Sequence, residues 1–189
     1  MTRFNAFIIA AALALAAQAG CAADVAGVRV DDHMRGGGSD LVLNGAGLRT
    51  KFFFKVYVAA LYVPKKTGDA REIVDSAQAR LITLHLMRSL DADTLIGALK
   101  EGLEKNNSAA DLAALKPEID QFEALMRQIG KAKEGDIVLI DFAPNGTDVG
   151  FNGQTRGTIP GRAFGQALLK VWLGDQPPQA DLKQALLGG

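Results

Sequence analysis

The sequence predicts one α+β domain built on a mainly antiparallel sheet, and three observations carry that reading. Short β-type runs meet at tight-turn dipeptides, Asn145-Gly146 and Asn152-Gly153, which are strong local hairpin signals. Stretches of helical periodicity cluster in the second half of the chain instead of alternating one for one with strands. At 189 residues, 48% of them hydrophobic, the chain is long enough to bury a real core as a single unit.

The N-terminus reads as a secretory signal. Arg3 precedes an apolar run, Phe7 to Ala17, that is too short to span a bilayer comfortably, and small residues follow from Gln18 to Ala23. Residues 1–23 are therefore expected to be a signal peptide and 24–189 the mature domain, exported to a periplasm with no transmembrane helix. Cleavage after Ala19 is the other position the pattern allows. Lipid attachment at Cys21 competes with this reading, but Gln18 stands where such a site usually has an apolar residue.

From there the elements follow in order. Val25 to Val30 alternates as a short strand, and His33 to Asp40, with Gly36-Gly37-Gly38, reads as a loop. Leu41 to Asn44 is a second strand ending at Gly45-Ala46-Gly47. Lys51 to Val63 is the longest β-type run, stopped by Pro64. Ala70 to Ala77 reads as a short helix and Arg80 to Met87 as a strand. Over Asp91 to Asn106, Leu95, Leu99 and Leu103 stack at helical spacing with Ile96 beside them, and Asp91 is placed to cap the first turn. Ala109 to Leu115 and Pro117 to Ile129 are further helices, the second with proline in its first turn. Asp136 to Phe142, Asp148 to Asn152 and Thr155 to Ile159 are short strands. Arg162 to Leu173 is a helix ended by Gly174, and Asp181 to Leu187 a last short one.

Composition excludes several chemistries. Lys plus Arg and Asp plus Glu both number 21, so there is no electrostatic footprint for nucleic acid. Cys21 is the only cysteine, and His33 and His85 are the only histidines, too few for a disulfide or a metal cluster. Gly45-Ala46-Gly47 lacks the third glycine of a dinucleotide loop, and no nucleophile elbow occurs. His85 reads as a core or sheet-face histidine, and Glu101 and Glu104, beside Lys100 and Lys105, as a solvated helix face. No cofactor is expected, and the domain is expected to be a monomer.

Parity divides the long run. Phe52, Phe54, Val56, Val58 and Ala60 form an apolar face expected to pack under helices. Lys51, Phe53, Lys55, Tyr57, Ala59 and Leu61 form a mixed face. Arg49 joins the mixed face if no bulge intervenes. Eight residues of straight strand span about 26 Å. Arg49 and Tyr57 can therefore share one ligand group only if the chain folds back between them, near Thr50-Lys51.

Three segments together resemble the chalcone isomerase-like family, in particular its exported bacterial members. They are GAGLRTKFFFKVYVAALYVP (Gly45 to Pro64), LMRSLDADTLIGALKEGL (Leu86 to Leu103) and RAFGQALLKVWLGDQPPQADLKQALL (Arg162 to Leu187), and the likeness runs in order over nearly all of Val25 to Gly189. The resemblance implies an open-faced β-sandwich: a large antiparallel sheet, helices packed on one side, and a ligand cleft between them. It places the family's substrate-polarising arginine at Arg49. Tyr57 stands where the enzymes have a threonine, Leu95 where they have a tyrosine, and Gly102 where they have an asparagine. Their serine or threonine of the penultimate helix falls near Gln166. One residue of the enzyme constellation thus remains. The arginine-tyrosine pair instead resembles the non-catalytic fatty-acid-binding branch, in which the pair holds a carboxylate. The expected function is non-catalytic binding of a fatty acid or similar small carboxylate, with Arg49, Tyr57, Leu95 and Gln166 as ligand-binding residues. The alternatives are an isomerase (an intramolecular lyase of the chalcone isomerase type) acting on an unknown metabolite, and a structural or partner-binding module.

Overall fold

The computed structural model describes residues 22–189, so the expected signal peptide lies outside the described residues except for Ala22 and Ala23. Strands β1 (Ala22–Val25) and β2 (Val28–Asp31) form a hairpin turned at Ala26-Gly27, where a single strand was expected. The stretch read as a loop is also a hairpin, β3 (His33–Gly36) and β4 (Ser39–Lys51), turned by Gly37 and Gly38 at positive φ. Alternation masked by glycine is the reason: the turn needs left-handed residues, and glycine supplies them without steric cost. β4 is followed by β5 (Phe54–Val63), α1 (Ala70–Asp75), β6 (Arg80–Leu86), β7 (Leu90–Asp91), α2 (Ala92–Asn106), α3 (Ala109–Ala114) and α4 (Lys116–Ile129). Then come β8 (Lys131–Ala132), β9 (Ile137–Ala143), β10 (Gly146–Phe151), β11 (Gln154–Pro160), α5 (Arg162–Leu173) and α6 (Ala180–Leu186).

The main sheet has seven strands in the order β11-β10-β9-β6-β5-β4-β3, every neighbouring pair antiparallel. Helices cover one face. There Ala59, Leu61, Ile82, Leu84, Val138 and Ile140 pack against Leu95, Leu99, Leu103, Phe164, Leu168 and Trp172. The β1–β2 hairpin covers part of the other face, closing Val30 over Leu41, Leu43, Val58, Ala60, Tyr62 and Leu81. This is the open-faced sandwich with helices on one side that the sequence implied, and the caps agree as well. The Asp91 carboxylate accepts the Thr94 N–H at 2.7 Å, as expected for the start of α2, and a proline lies in the first turn of α4.

The parity reading of the long run is overturned in two ways. The run is broken: the chain reverses at Phe52-Phe53, so β4 and β5 are hairpin partners and only Phe54 to Val63 is one strand. And the helices cover Tyr57, Ala59, Leu61 and Val63, not the expected face, while Phe52 and Phe54 lie in solvent. Beyond Val58 both faces are buried, so hydrophobicity could not tell helix side from hairpin side.

Register shifts in the β4–β5 pair set the site. Leu43 faces Tyr62 and Gly45 faces Leu61, which leaves Asn44 as an extra residue; the second shift falls at Arg49/Thr50, with Val56 extra on β5. Before the first bulge, Leu41 and Leu43 point to the β1–β2 side; after it, Gly45 and Gly47 meet α6. The buried Asn44 amide is held at both ends, donating to the Leu186 carbonyl at 2.7 Å and accepting the Thr67 N–H at 2.9 Å. The glycines of the Gly45-Ala46-Gly47 turn motif are in fact mid-strand residues beneath α6. A Cβ on Gly45 would stand 2.0 Å from the Ala185 carbonyl oxygen, and one on Gly47 2.8 Å from the Ala185 Cβ.

Gly45→Ala is therefore expected to cost about 1–3 kcal/mol or more, the range for overpacking against backbone that cannot yield. Gly97→Ala, in α2 with nothing within 4 Å of the added carbon, should instead add about 0.5–1 kcal/mol through helix propensity. Denaturant unfolding of both variants checks the pair, and equal stabilities would refute the α6 contact.

Candidate functional site

A cavity of about 850 Å³ opens between the sheet and α2. Its interior is apolar: Leu84 and Val138 rise from the sheet, Leu95 and Leu99 descend from α2, and Met126 and Val171 close it from α4 and α5. The size falls within the ordinary range of small-molecule sites, about 300–1,000 Å³. Its polar lining includes Arg49, Arg88, Asp91, Asp93, Glu101 and Lys105.

The chain does fold back between Arg49 and Tyr57, and the two are directly opposed cross-strand partners on β4 and β5. Both line the cavity. Directly opposed side chains on one sheet face stand close enough to act on one group. The Tyr57 hydroxyl accepts a hydrogen bond from Trp172 Nε1 at 3.2 Å, which fixes the ring and leaves the phenolic hydrogen free to donate. Burial pushes the Tyr57 phenol above its usual range, against a smaller opposing effect from the Trp172 hydrogen bond and the Arg49 charge.

Gln179 positions Arg49. Its Oε1 accepts the Thr50 N–H at 2.9 Å and Arg49 Nη1 at 3.3 Å, while its Nε2 donates to the Leu48 carbonyl at 3.3 Å. Arg49 Nη1 also donates to the Thr50 carbonyl. No carboxylate pairs with Arg49 among the described residues; its partners are neutral oxygens. Glu101, across the site, is engaged by Lys105 at 2.6 Å. That bond is the main reason its carboxyl lies below the usual range, with Lys51 and Arg49 adding smaller effects.

Of the other expected site residues, Leu95 lines the cavity and is buried, whereas Gln166 on α5 does not reach it. Gly102 does reach the cavity, but its position has a packing cause. A Cβ there would stand 2.5 Å from Val171 Cγ1, so glycine lets α2 and α5 approach. Trp172, Gln179, Met126 and Val171 are site residues that sequence reasoning missed. Trp172 and Gln179 lie within the third segment of family likeness, which was the one available signal. His85 is outside the site, half-buried on the hairpin side of the sheet. Its Nε2 lies 3.1 Å from Thr83 Oγ1, and burial holds its pKa below the usual value. Among the described residues no group of three or more His, Cys, Asp or Glu side chains could hold a metal, and no helix is long and apolar enough to cross a membrane.

The sheet, its helical cover and the intervening cavity define a class. Residues 22–188 match the chalcone isomerase-like family, and the chain belongs to that family. Among solved structures it is similar to a fatty-acid binding protein of Arabidopsis thaliana, with a TM-score of 0.67 and 14% identity over 85% of this chain and 92% of that one. No curated protein matches the chain by sequence.

The chain's two tyrosines provide a test of this burial. Tyr62, on the opposite face, is also shifted upward, chiefly by burial. A phenol that holds its proton more tightly when folded keeps its full contribution below the ordinary pKa of about 10, and that contribution is lost as pH rises toward the folded value. In an alkaline titration followed by phenolate absorbance and circular dichroism together, phenolate should appear at higher pH in the folded protein than in the denatured chain. Tyr57→Phe should remove half the amplitude. Ionisation of both tyrosines near the ordinary value in a folded protein would contradict the structure.

Proposed function

We propose that the protein is a non-catalytic binder of a fatty acid or similar small carboxylate. The observation that carries this is the pairing of Arg49 with Tyr57 at a cavity whose walls are Leu84, Leu95, Leu99, Met126, Val138 and Val171. A guanidinium held by neutral acceptors keeps its charge for a ligand, and its planar fork suits a carboxylate. The phenolic hydrogen adds a second donor, and the apolar walls suit an acyl chain. The fatty-acid binding protein of the same fold supports this reading.

The walls also argue against chalcone cyclisation. Each donor missing from a site that stabilises an enolate costs about 10²–10³ in rate. Leu95 and Gly102 offer no side-chain hydrogen bond, and Val171 leaves no room at position 102 for an amide without displacing a helix. We further propose that the protein is exported, with processing after Ala19. Cleavage after Ala23 would remove Ala22 and Ala23 from β1, where they pair with Asp31 and Val30.

Calorimetric titration of a medium-chain fatty acid tests the binding reading. Arg49→Ala should weaken binding by about 2–5 kcal/mol, the usual cost of removing one partner of a buried charge pair. Arg49→Lys should recover part of that, because lysine lacks the fork. Tyr57→Phe should cost about 0.5–3 kcal/mol, the range for one neutral or charge-assisted hydrogen bond. Equal affinities across the series, or no binding by the wild type, would refute it.

Incubation with chalcones should give no flavanone above background. Turnover on the order of 1–10³ per second would establish an enzyme instead.

A further inference from the structure

The β4–β5 hairpin ends in Phe52, Phe53 and Phe54, which are 85%, 99% and 59% exposed. Phe53 in particular gains nothing from folding there. Phe52 sits at a φ of 57°, a left-handed conformation that glycine or asparagine adopts with far less strain. Three adjacent exposed aromatic side chains on one tip mark an interaction surface.

The charge around the tip indicates the partner. Lys51 and Lys55 flank the triplet, both exposed, and the Arg88 guanidinium lies 4.8 Å from the centre of the Phe54 ring. Lys51, Lys55 and Arg88 make no ion pair with any described residue. Of the nearby carboxylates, Glu101 pairs with Lys105 at 2.6 Å and Asp93 with Arg127 at 3.5 Å, while Asp91 caps α2 by accepting the Thr94 N–H at 2.7 Å and keeps its charge. Three cations without an ion-pair partner around an apolar tip match a surface that offers phosphates outside and hydrocarbon beneath.

We propose that this tip docks on an anionic phospholipid membrane, with the Phe52–Phe54 side chains entering the headgroup boundary and Lys51, Lys55 and Arg88 meeting lipid phosphates. Lys51, Phe52, Phe54 and Arg88 also line the cavity, so docking brings the site to the bilayer surface, where amphiphilic carboxylates partition. The docking rests on the tip and its charges, whatever the cavity holds.

Phe53 does not line the cavity, which makes it the position to probe. The processed chain, beginning at Gly20 and carrying Phe53→Trp, is mixed with phosphatidylglycerol or phosphatidylcholine vesicles and its indole emission recorded. Trp172, the one native tryptophan, is buried and gives a constant background. With phosphatidylglycerol the emission should shift to the blue and be quenched by brominated acyl chains; with phosphatidylcholine, or at high salt, the effect should weaken. Phe53→Ser should lower phosphatidylglycerol affinity about tenfold or more, as removal of one buried phenylalanine implies, yet titrate fatty acid like the wild type. Emission unchanged by either vesicle, or equal affinity of Phe53→Ser and wild type, overturns the proposal. So does emission already blue-shifted without vesicles, which would mean that a second copy covers the tip if it depends on concentration, or the chain itself if it does not. Insertion without any fatty-acid binding would instead remove the cavity reading and leave the docking in place.

Discussion

Asn44 is an extra residue in β4, and because strand side chains alternate with period two, its insertion transfers the later odd-numbered residues from the hairpin face to the helix face. Leu41 and Leu43 fill the small core under β1 and β2, while Gly45, Gly47 and Arg49 belong to the helical side. Without the bulge, Arg49 would point away from the cavity. The Asn44 side chain secures the arrangement by binding the Leu186 carbonyl at the end of α6 and the Thr67 N–H. Both partners are far from Asn44 in sequence, so the bulge, the loop before α1 and the C-terminal helix are set together.

α6 in turn holds the arginine. Its approach to β4 is possible because Gly45 and Gly47 carry no side chain, and it brings Gln179 against Leu48, Arg49 and Thr50. A neutral amide in that place orients the guanidinium without neutralising it, which an aspartate or glutamate would do. On the tyrosine side, Trp172 uses its indole hydrogen on the Tyr57 oxygen and leaves the phenolic hydrogen for a ligand. Both donors are thus held by residues of the C-terminal helical segment as well as by the register of their own strands.

The apolar character of the cavity has a mechanical cause as well as a chemical one. Gly102 lets α2 settle on Val171 of α5, and that contact fixes the roof. A side-chain amide there and the close helix pair exclude each other. The lack of a side-chain hydrogen bond at position 102 is therefore tied to how tightly α2 and α5 pack.

Local pattern was enough for much of the fold. The Leu95-Leu99-Leu103 stripe with Asp91 at its start, the Asn152-Gly153 turn and the Gly174 stop each act through neighbours in sequence, and each appears where the residues placed it. The reversal inside Lys51 to Val63 is not legible because a continuous hydrophobic run carries no sign of it: Phe52 and Phe53 turn the chain without glycine, proline or asparagine. The β3–β4 hairpin is not legible because its glycines suppress the alternation. Of the site, strand geometry required that Arg49 and Tyr57 meet only through a fold-back, and the leucine stripe set Leu95 among apolar neighbours. Tertiary structure alone decided which sheet face received the helices, that Gln166 stays away from the cavity, and that Trp172 and Gln179 hold the donors. Those facts depend on bulges and on contacts between residues more than a hundred positions apart, and no periodicity within a single segment encodes them.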